Sequence, residues 1–219
     1  MKIIECDQGT DAWLAARAGI PTASEFSTVL AKGKDGGASV TRRKYLYKLA
    51  GERLTGDPAE NYSNQYMDRG HVLEPQARED YAFINDVEPE IIGFVTTDDG
   101  GAGCSPDSFI GAAGALEIKT GAPHILLDHM FKGEFPTEHK AQCQGVLWVA
   151  EREWIDLLIY WPKMKPFIVR AARDEAYIRD LASAVAKFNE EIVDVVDRYR
   201  RLGAPGRLQA DLKASLVAA

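Results

Sequence analysis

The chain has 219 residues, of which 46% are hydrophobic and 27% are charged. These proportions are typical of a globular protein and exclude a chain that is disordered over its whole length. The 26 basic and 33 acidic residues give a formal net charge of −7, which excludes a protein that binds nucleic acid through a generally positive surface. We expect residues 1–219 to form one domain with a substantial core.

Apolar periodicity and capping residues predict mostly helix in the first part of the chain. Thr10 is predicted to cap the first helix, and the segment 22–25 has the form of a capping box for the second. The glycine-rich segment 32–37 is predicted to be a mobile loop. The helices predicted in this part lie at 10–18, from 22 onward, at 41–54 and at 64–84.

The pattern then changes to strands, with a hairpin turn predicted at Gly111 and Gly114. Strands are predicted at 91–97, 103–110, 115–120, 154–161 and 167–171, and further helices at 124–131, 138–150 and 174–201. The last helix carries an apolar stripe that we interpret as core packing: Ile178, Leu181, Val185, Phe188, Ile192, Val195 and Tyr199. This order predicts an α/β fold with a central mixed sheet flanked by helices. The tail at 203–219 indicates nothing further.

The three cysteines are scattered and form no CxxC pair, which argues against a zinc or iron–sulfur site and for reduced thiols. The first residues lack the apolar run of a signal peptide. No stretch approaches the length needed to cross a membrane. We therefore expect a soluble protein inside the cell, without a membrane partner. The four histidines show no metal-ligand spacing and are interpreted as solvated or structural: His71, His124, His129 and His139.

The segment Ser105-Pro106-Asp107, followed by Leu116-Glu117-Ile118-Lys119, carries the clearest chemistry. Glu117 and Lys119 lie two apart on a predicted strand, so their side chains leave the same face. The preceding strand of the hairpin can bring Asp107 beside them. Two carboxylates suit Mg²⁺, which would polarise a phosphodiester and acidify a bound water. Lys119 would position or deprotonate that water, and a lowered pKa would suit the second role. An ordinary surface ion-pair cluster is the alternative.

Beyond this segment, several motifs occur in an order that resembles the PD-(D/E)xK nuclease superfamily and, within it, the phage lambda exonuclease family of YqaJ-type viral recombinases. The resemblance spans roughly residues 7–178. It rests on Gln8-Gly9-Thr10-Asp11-Ala12-Trp13, Arg17-Ala18-Gly19, Thr22-Ala23-Ser24-Glu25, Gly70-His71-Val72-Leu73-Glu74, Cys104-Ser105-Pro106-Asp107, Leu116-Glu117-Ile118-Lys119, Ala141-Gln142-Cys143-Gln144 and Trp161-Pro162-Lys163-Met164-Lys165.

The resemblance implies a restriction-endonuclease-like core and a role for each matching residue. Asp107, Glu117 and the main-chain oxygen of Ile118 would bind the metal, with Glu74 completing the acidic cluster. Lys119 would be the catalytic lysine and Gln142 an active-site glutamine, whereas Gln144 would point to another side of its helix. Three residues would hold the 5′-phosphate of the cut strand: Arg17, Ser24 and Ser105. Trp13 would either stack on an unpaired base or pack in the core.

The resemblance also implies a processive 5′→3′ exonuclease on linear duplex DNA, with Mg²⁺ as cofactor and Mn²⁺ able to replace it. A ring-shaped homotrimer, a single-strand annealing partner and a phage or prophage origin in the bacterial cytoplasm are implied as well. A restriction-like or junction-resolving endonuclease and a catalytically silent DNA-end-binding module are the alternatives. The loop after the second predicted helix offers only Lys32 and Lys34 as DNA contacts, and neither is assigned.

Overall fold

The computed structural model describes residues 1–33, 36–59 and 65–202, with the side chains of 65–68 and 71 excepted. The helices are α1 (Asp11–Arg17), α2 (Phe26–Leu30), α3 (Val40–Thr55), α4 (Gln65–Asn85), α5 (Pro123–Lys132), α6 (Lys140–Val149) and α7 (Glu175–Arg201). The strands are β1 (Lys2–Ile4), β2 (Pro89–Glu90), β3 (Phe94–Thr96), β4 (Gly103–Cys104), β5 (Ser108–Ile110), β6 (Gly114–Thr120), β7 (Trp154–Tyr160) and β8 (Phe167–Ala172).

The main sheet has five strands in the order β2-β5-β6-β7-β8. Strands β6 and β7 are parallel, and the other neighbouring pairs are antiparallel. The predicted α/β fold with a mixed sheet is therefore confirmed. Strand β6 is buried from Gly114 to Ile118 because strands on both sides and helices on the faces cover it. This strand carries the central residues of the predicted site.

A second, small sheet in the order β1-β3-β4 corrects two predicted strands. The strand predicted at 91–97 contains only β3, and the strand predicted at 103–110 is divided into β4 and β5, which belong to different sheets. Pro106 lies in the break and has no N–H to continue a ladder. The chain therefore passes from one sheet to the other through residues 105–107. Strand β1 was not predicted.

Helix α7 covers the main core with its apolar stripe. Five of the predicted residues are buried, but Tyr199 is 60% exposed and Val196, not Val195, is the last buried position. The prediction is wrong at this end because a straight helix of 3.6 residues per turn rotates away from a fixed stripe. Among the described residues, no helix is both long enough and apolar enough to span a bilayer.

Candidate active site

The hairpin of β5 and β6 brings Asp107 and Glu117 side by side. Ser108 pairs with Leu116, the Asp107 N–H donates to the Leu116 carbonyl at 3.2 Å, and the Asp107 carboxylate accepts from the Ile118 N–H. The turn includes Gly111 at φ 56°, a left-handed conformation that favours glycine. The predicted approach of the two carboxylates is confirmed.

Glu117 is the centre of this arrangement and is only 2% exposed. Its Oε1 lies 2.7 Å from the Lys119 ammonium and accepts a hydrogen bond from the Gln142 amide on α6. Its Oε2 is buried and has no hydrogen-bond partner in the part of the chain that the structure describes. We call Glu74, Asp107, Glu117, Lys119 and Gln142 the acidic pocket.

Charges in the acidic pocket shift two pKa values. Burial, followed by repulsion from Glu117 and Glu74, raises the pKa of Asp107 well above its ordinary value. Burial opposes the charge on Lys119, but attraction to Glu117 and Asp107 outweighs it, so the pKa of Lys119 is raised. In this arrangement Lys119 is an ammonium donor, and the lowered pKa that would suit a base beside a bound cation stays a prediction.

The acidic pocket has donor groups that fit a hard divalent cation. It presents carboxylate oxygens, and the unpartnered Oε2 of Glu117 is a buried acceptor that is costly to leave unsatisfied. Glu74 also borders the cavity, but its carboxylate pairs with Arg78 one turn along α4. Among the described residues, no three His, Cys, Asp or Glu side chains converge as a metal-binding group. Metal binding by Glu74 and by the Ile118 carbonyl stays a prediction.

The cavity in front of these carboxylates has a second wall that the sequence analysis missed. His129, Glu138 and His139 lie along it, and burial, followed by the charge of Lys119, lowers the pKa of His139 to about 4. Helical spacing could not reveal this wall, because α5 and the turn before α6 meet only in the folded chain. The complete lining is Gly70, Glu74, Asp107, Glu117, Ile118, Lys119, Thr120, Gly121, Ile125, His129, Glu138, His139 and Ile159.

The predicted phosphate-binding residues also come together, in a cluster that we call the arginine site: Trp13, Arg17, Ser24 and Ser105. Ser105 Oγ accepts from Trp13 Nε1 at 2.8 Å and from Arg17 Nη1 at 3.3 Å. The Arg17 guanidinium lies over the Trp13 ring at 3.9 Å. Trp13 therefore packs beneath the guanidinium while remaining partly exposed. Stacking of Trp13 on a base stays a prediction.

Thr22 connects Ser24 to this cluster. Its hydroxyl accepts from Arg17 Nη2 at 3.4 Å and lies 3.3 Å from Ser24 Oγ. The predicted capping box is wrong, because Thr22 makes no side-chain cap and a 3₁₀ turn, Ala23–Glu25, precedes α2. Gly145 permits α6 to approach this turn closely, since a Cβ there would lie 2.4 Å from the Phe26 ring.

Arg17 is a largely buried cation whose contacts are neutral. It touches hydroxyl groups and aromatic rings, and no carboxylate of the described residues lies within ion-pair distance. Burial lowers the pKa of Arg17, but an arginine remains protonated in proteins. A largely buried guanidinium with hydroxyl neighbours and no ion-pair partner among the described residues is suited to bind an anion such as a phosphate.

The two clusters meet at the segment that crosses between the sheets. The Gln8 amide donates to the carbonyls of Ile92 at 2.8 Å and Pro106 at 3.0 Å, which holds this segment against the N-terminal region. Ser105 belongs to the arginine site and Asp107 to the acidic pocket. Two residues of chain span at most about 7 Å, so the two clusters are adjacent.

Two further predictions concern residues outside these clusters. Gln144 donates to the Ala172 carbonyl and accepts from the Asp174 N–H, so it points away from the acidic pocket as predicted. Lys32 forms an isolated β-bridge with Ala38. Lys34 lies outside the described residues.

Comparison with known proteins identifies related chains. The model of the YqaJ-like viral recombinase domain matches residues 12–153. The crystal structure of an alkaline exonuclease (LHK-Exo) from Laribacter hongkongensis is 29% identical, with a TM-score of 0.79 and coverage of 88% of this chain and 97% of that one. Its complex with dAMP has the same identity and coverage and a TM-score of 0.80.

A more distant structure supports the fold alone. A phage-related exonuclease from Haemophilus somnus 129PT is 14% identical, with a TM-score of 0.62 and coverage of 82% of this chain and 96% of that one. No curated protein sequence matches significantly.

Proposed function

This chain belongs to the YqaJ-like viral recombinase family, and from that membership we propose that it is a metal-dependent 5′→3′ exonuclease. It would degrade one strand of linear duplex DNA processively and leave a 3′ single-stranded tail for recombination by strand annealing. The similarity to an alkaline exonuclease over 88% of the chain supports the general assignment as a DNA exonuclease. In this proposal, residues 1–219 act as one nuclease domain.

The observation that carries the proposal is the adjacency of the acidic pocket and the arginine site. Ser105 and Asp107 belong to different clusters but are separated by one proline. A terminal phosphate on Arg17 would therefore place the next phosphodiester of the same strand near Asp107 and Glu117. A receptor for a terminal phosphate at this distance would favour cutting from a DNA end over cutting at internal positions.

Each residue then has a defined task. Arg17, assisted by the hydroxyls of Ser24 and Ser105, holds the terminal phosphate through charge-assisted hydrogen bonds. Lys119, whose raised pKa keeps it protonated, stabilises negative charge that develops on the attacked phosphate. Gln142 donates to Glu117 Oε1 and so fixes the direction of that carboxylate.

Asp107 and Glu117 would hold the divalent cation, which supplies Lewis-acid polarisation of the phosphodiester and acidifies a bound water. Mg²⁺ is the proposed ion because the donors are hard oxygens, and Mn²⁺ accepts the same ligands. Chelation is expected to abolish cleavage, and either ion is expected to restore it.

The decisive experiment compares three duplex substrates in Mg²⁺: linear with a 5′-phosphate, linear with a 5′-hydroxyl, and covalently closed circular. We expect rapid release of mononucleotides from the first, slower release from the second and none from the third. Labels at the 5′ and 3′ ends report polarity, and a trap of unlabelled duplex reports processivity. Rapid cutting of the circle would instead indicate a restriction-like or junction-resolving endonuclease.

The family resemblance supports the remaining parts of the proposal: a homotrimeric ring around DNA, a single-strand annealing partner, and action in the cytoplasm of a bacterial host. Such a ring would explain processivity in a protein with a net charge of −7. Sedimentation equilibrium is expected to give three times the chain mass.

A further inference from the structure

Arg78 on α4 contacts three groups around the acidic pocket. Its Nε donates to Ser108 Oγ at 2.9 Å, and its Nη2 donates to the Glu74 carboxylate and, at 3.3 Å, to the Asp107 main-chain carbonyl. The Arg78 side chain is only 14% exposed. An exposed i,i+4 ion pair contributes little to stability and joins residues of one helix. Arg78 instead joins α4 to β5 beside the carboxylates.

Ser108 extends this arrangement toward Asp107. Its side chain is fully buried, and its hydroxyl accepts from Arg78 while donating to the Asp107 carbonyl. The Asp107 carbonyl thus receives two donors, and the Asp107 carboxylate accepts from Ile118 N–H. Both the main chain and the side chain of Asp107 are held in place.

We propose that Arg78 is a positioning residue that fixes Glu74 and the backbone of Asp107 so that the acidic pocket can bind its divalent cation. The inference rests on the proposed function. The guanidinium pairs with the Glu74 carboxylate and donates to the Asp107 main-chain carbonyl, so one side chain holds a residue of α4 and the residue just before β5. Its planar fork reaches acceptors on two elements at once, which a lysine ammonium cannot reproduce.

The test measures Mn²⁺ binding to the DNA-free protein by calorimetry for the wild type, Arg78→Lys and Ser108→Ala. Groups that orient metal ligands typically change metal affinity by 10–100-fold, so Arg78→Lys is expected to weaken Mn²⁺ binding about tenfold. Ser108→Ala leaves every charge in place and is expected to weaken it about threefold, because the hydroxyl that links Arg78 to the Asp107 carbonyl is lost while Arg78 keeps its contacts with Glu74 and Asp107. The Mn²⁺ concentration for half-maximal nuclease activity is expected to rise in parallel.

Arg170→Lys is the matched control. Arg170 forms a two-pronged ion pair with Asp156 on β7, at 2.8 and 2.9 Å, and Asp156 accepts from Tyr81 on α4 at 2.6 Å. This cluster also links α4 to the main sheet but does not border the cavity. Thermal unfolding of both variants measures any general loss of stability. We expect Arg170→Lys to reduce stability without changing Mn²⁺ affinity.

Wild-type Mn²⁺ affinity in Arg78→Lys would overturn the inference, as would an equal loss of affinity in Arg170→Lys. A wild-type protein that binds no Mn²⁺ would also overturn it. A wild type that binds Mn²⁺ but does not degrade linear duplex would refute the proposed function, while the affinities of the variants would still decide the role of Arg78.

Discussion

The acidic pocket and the arginine site have opposite charge imbalances. In the acidic pocket, Asp107 and Glu117 face a single ammonium, Lys119, and one oxygen of Glu117 has no partner among the described residues. In the arginine site, the direct contacts of Arg17 are hydroxyls and aromatic rings, and no carboxylate of the described residues lies within ion-pair distance. Unbalanced charge away from water is costly unless a ligand completes it. The first region is therefore suited to a cation and the second to an anion.

The two regions are also built differently. The acidic pocket depends mainly on one hairpin, in which the register of β5 and β6 opposes Asp107 and Glu117. The arginine site combines α1, the 3₁₀ turn before α2 and the segment after β4, which are distant in the sequence. In the proposed function, the pocket would carry out the chemistry and the arginine site would determine which DNA position reaches it. Variants in the two regions should therefore differ in kind.

The largest effect is expected for Lys119→Ala. Loss of the ammonium removes charge stabilisation in the transition state, which should lower kcat on linear duplex by roughly 10³-fold. Binding of the DNA end, measured by fluorescence anisotropy, should change little. Lys132→Ala is the control, since Lys132 is exposed and pairs only with Asp128 among the described residues. Near-normal turnover in Lys119→Ala would remove this lysine from the chemistry.

A smaller and selective effect is expected for Arg17→Gln. Hydrogen bonds to charged groups contribute about 1.5–3 kcal/mol, so kcat/KM on 5′-phosphorylated ends should fall roughly 10–100-fold. On 5′-hydroxyl ends the change should be slight, because the anion that Arg17 binds is missing. Lys119→Ala should reduce both reactions equally. If Arg17→Gln lowered kcat/KM equally on 5′-phosphorylated and 5′-hydroxyl ends, the arginine site and the acidic pocket would not be functionally separate.

The serines should give a still smaller effect in the same direction. Ser105→Ala and Ser24→Ala each remove one neutral donor from the arginine site, and about 1 kcal/mol per hydrogen bond corresponds to roughly fivefold in kcat/KM on phosphorylated ends. Ser39→Ala, at the N-cap of α3, should lower stability without altering the preference for a phosphate. A preference unchanged in both site variants would exclude the serines from phosphate binding.

The smallest effect is expected for His139, which lines the cavity in front of the acidic pocket. The pKa of His139 is about 4 in the folded protein and about 6.5 in an unfolded chain. The unfolded state therefore binds the proton first, and the stability contributed by neutral His139 is lost as the pH falls from about 6.5 to about 4. Between pH 7 and pH 5 these two pKa values alone correspond to about 2 kcal/mol. Because solvent screening reduces this at a partly exposed side chain, His139→Gln should lose about 1 kcal/mol less unfolding free energy than the wild type. Equal losses in urea titrations would contradict this assignment.

The features that depend on local order could be predicted from the amino-acid sequence alone. Alternation along β6 placed Glu117 and Lys119 on one face, and the turn at Gly111 allowed Asp107 to oppose Glu117. The α/β class followed from the order of helices and strands, and the family from motifs that occur in a characteristic order. These features need only the two-residue period of a strand and short connections.

The features that join distant segments could not be predicted from the sequence, because they depend on how the elements pack in three dimensions. The break at Pro106 sends β4 and β5 into different sheets. Because of this crossing, Ser105 belongs to the arginine site and Asp107 belongs to the acidic pocket. The Thr22 hydroxyl accepts a hydrogen bond from Arg17 and does not cap a helix. Arg78 and His139 lie beside the acidic pocket because their elements pack against it. Periodicity describes which face of an element is buried, but not which elements meet, because that choice depends on the packing of the whole chain.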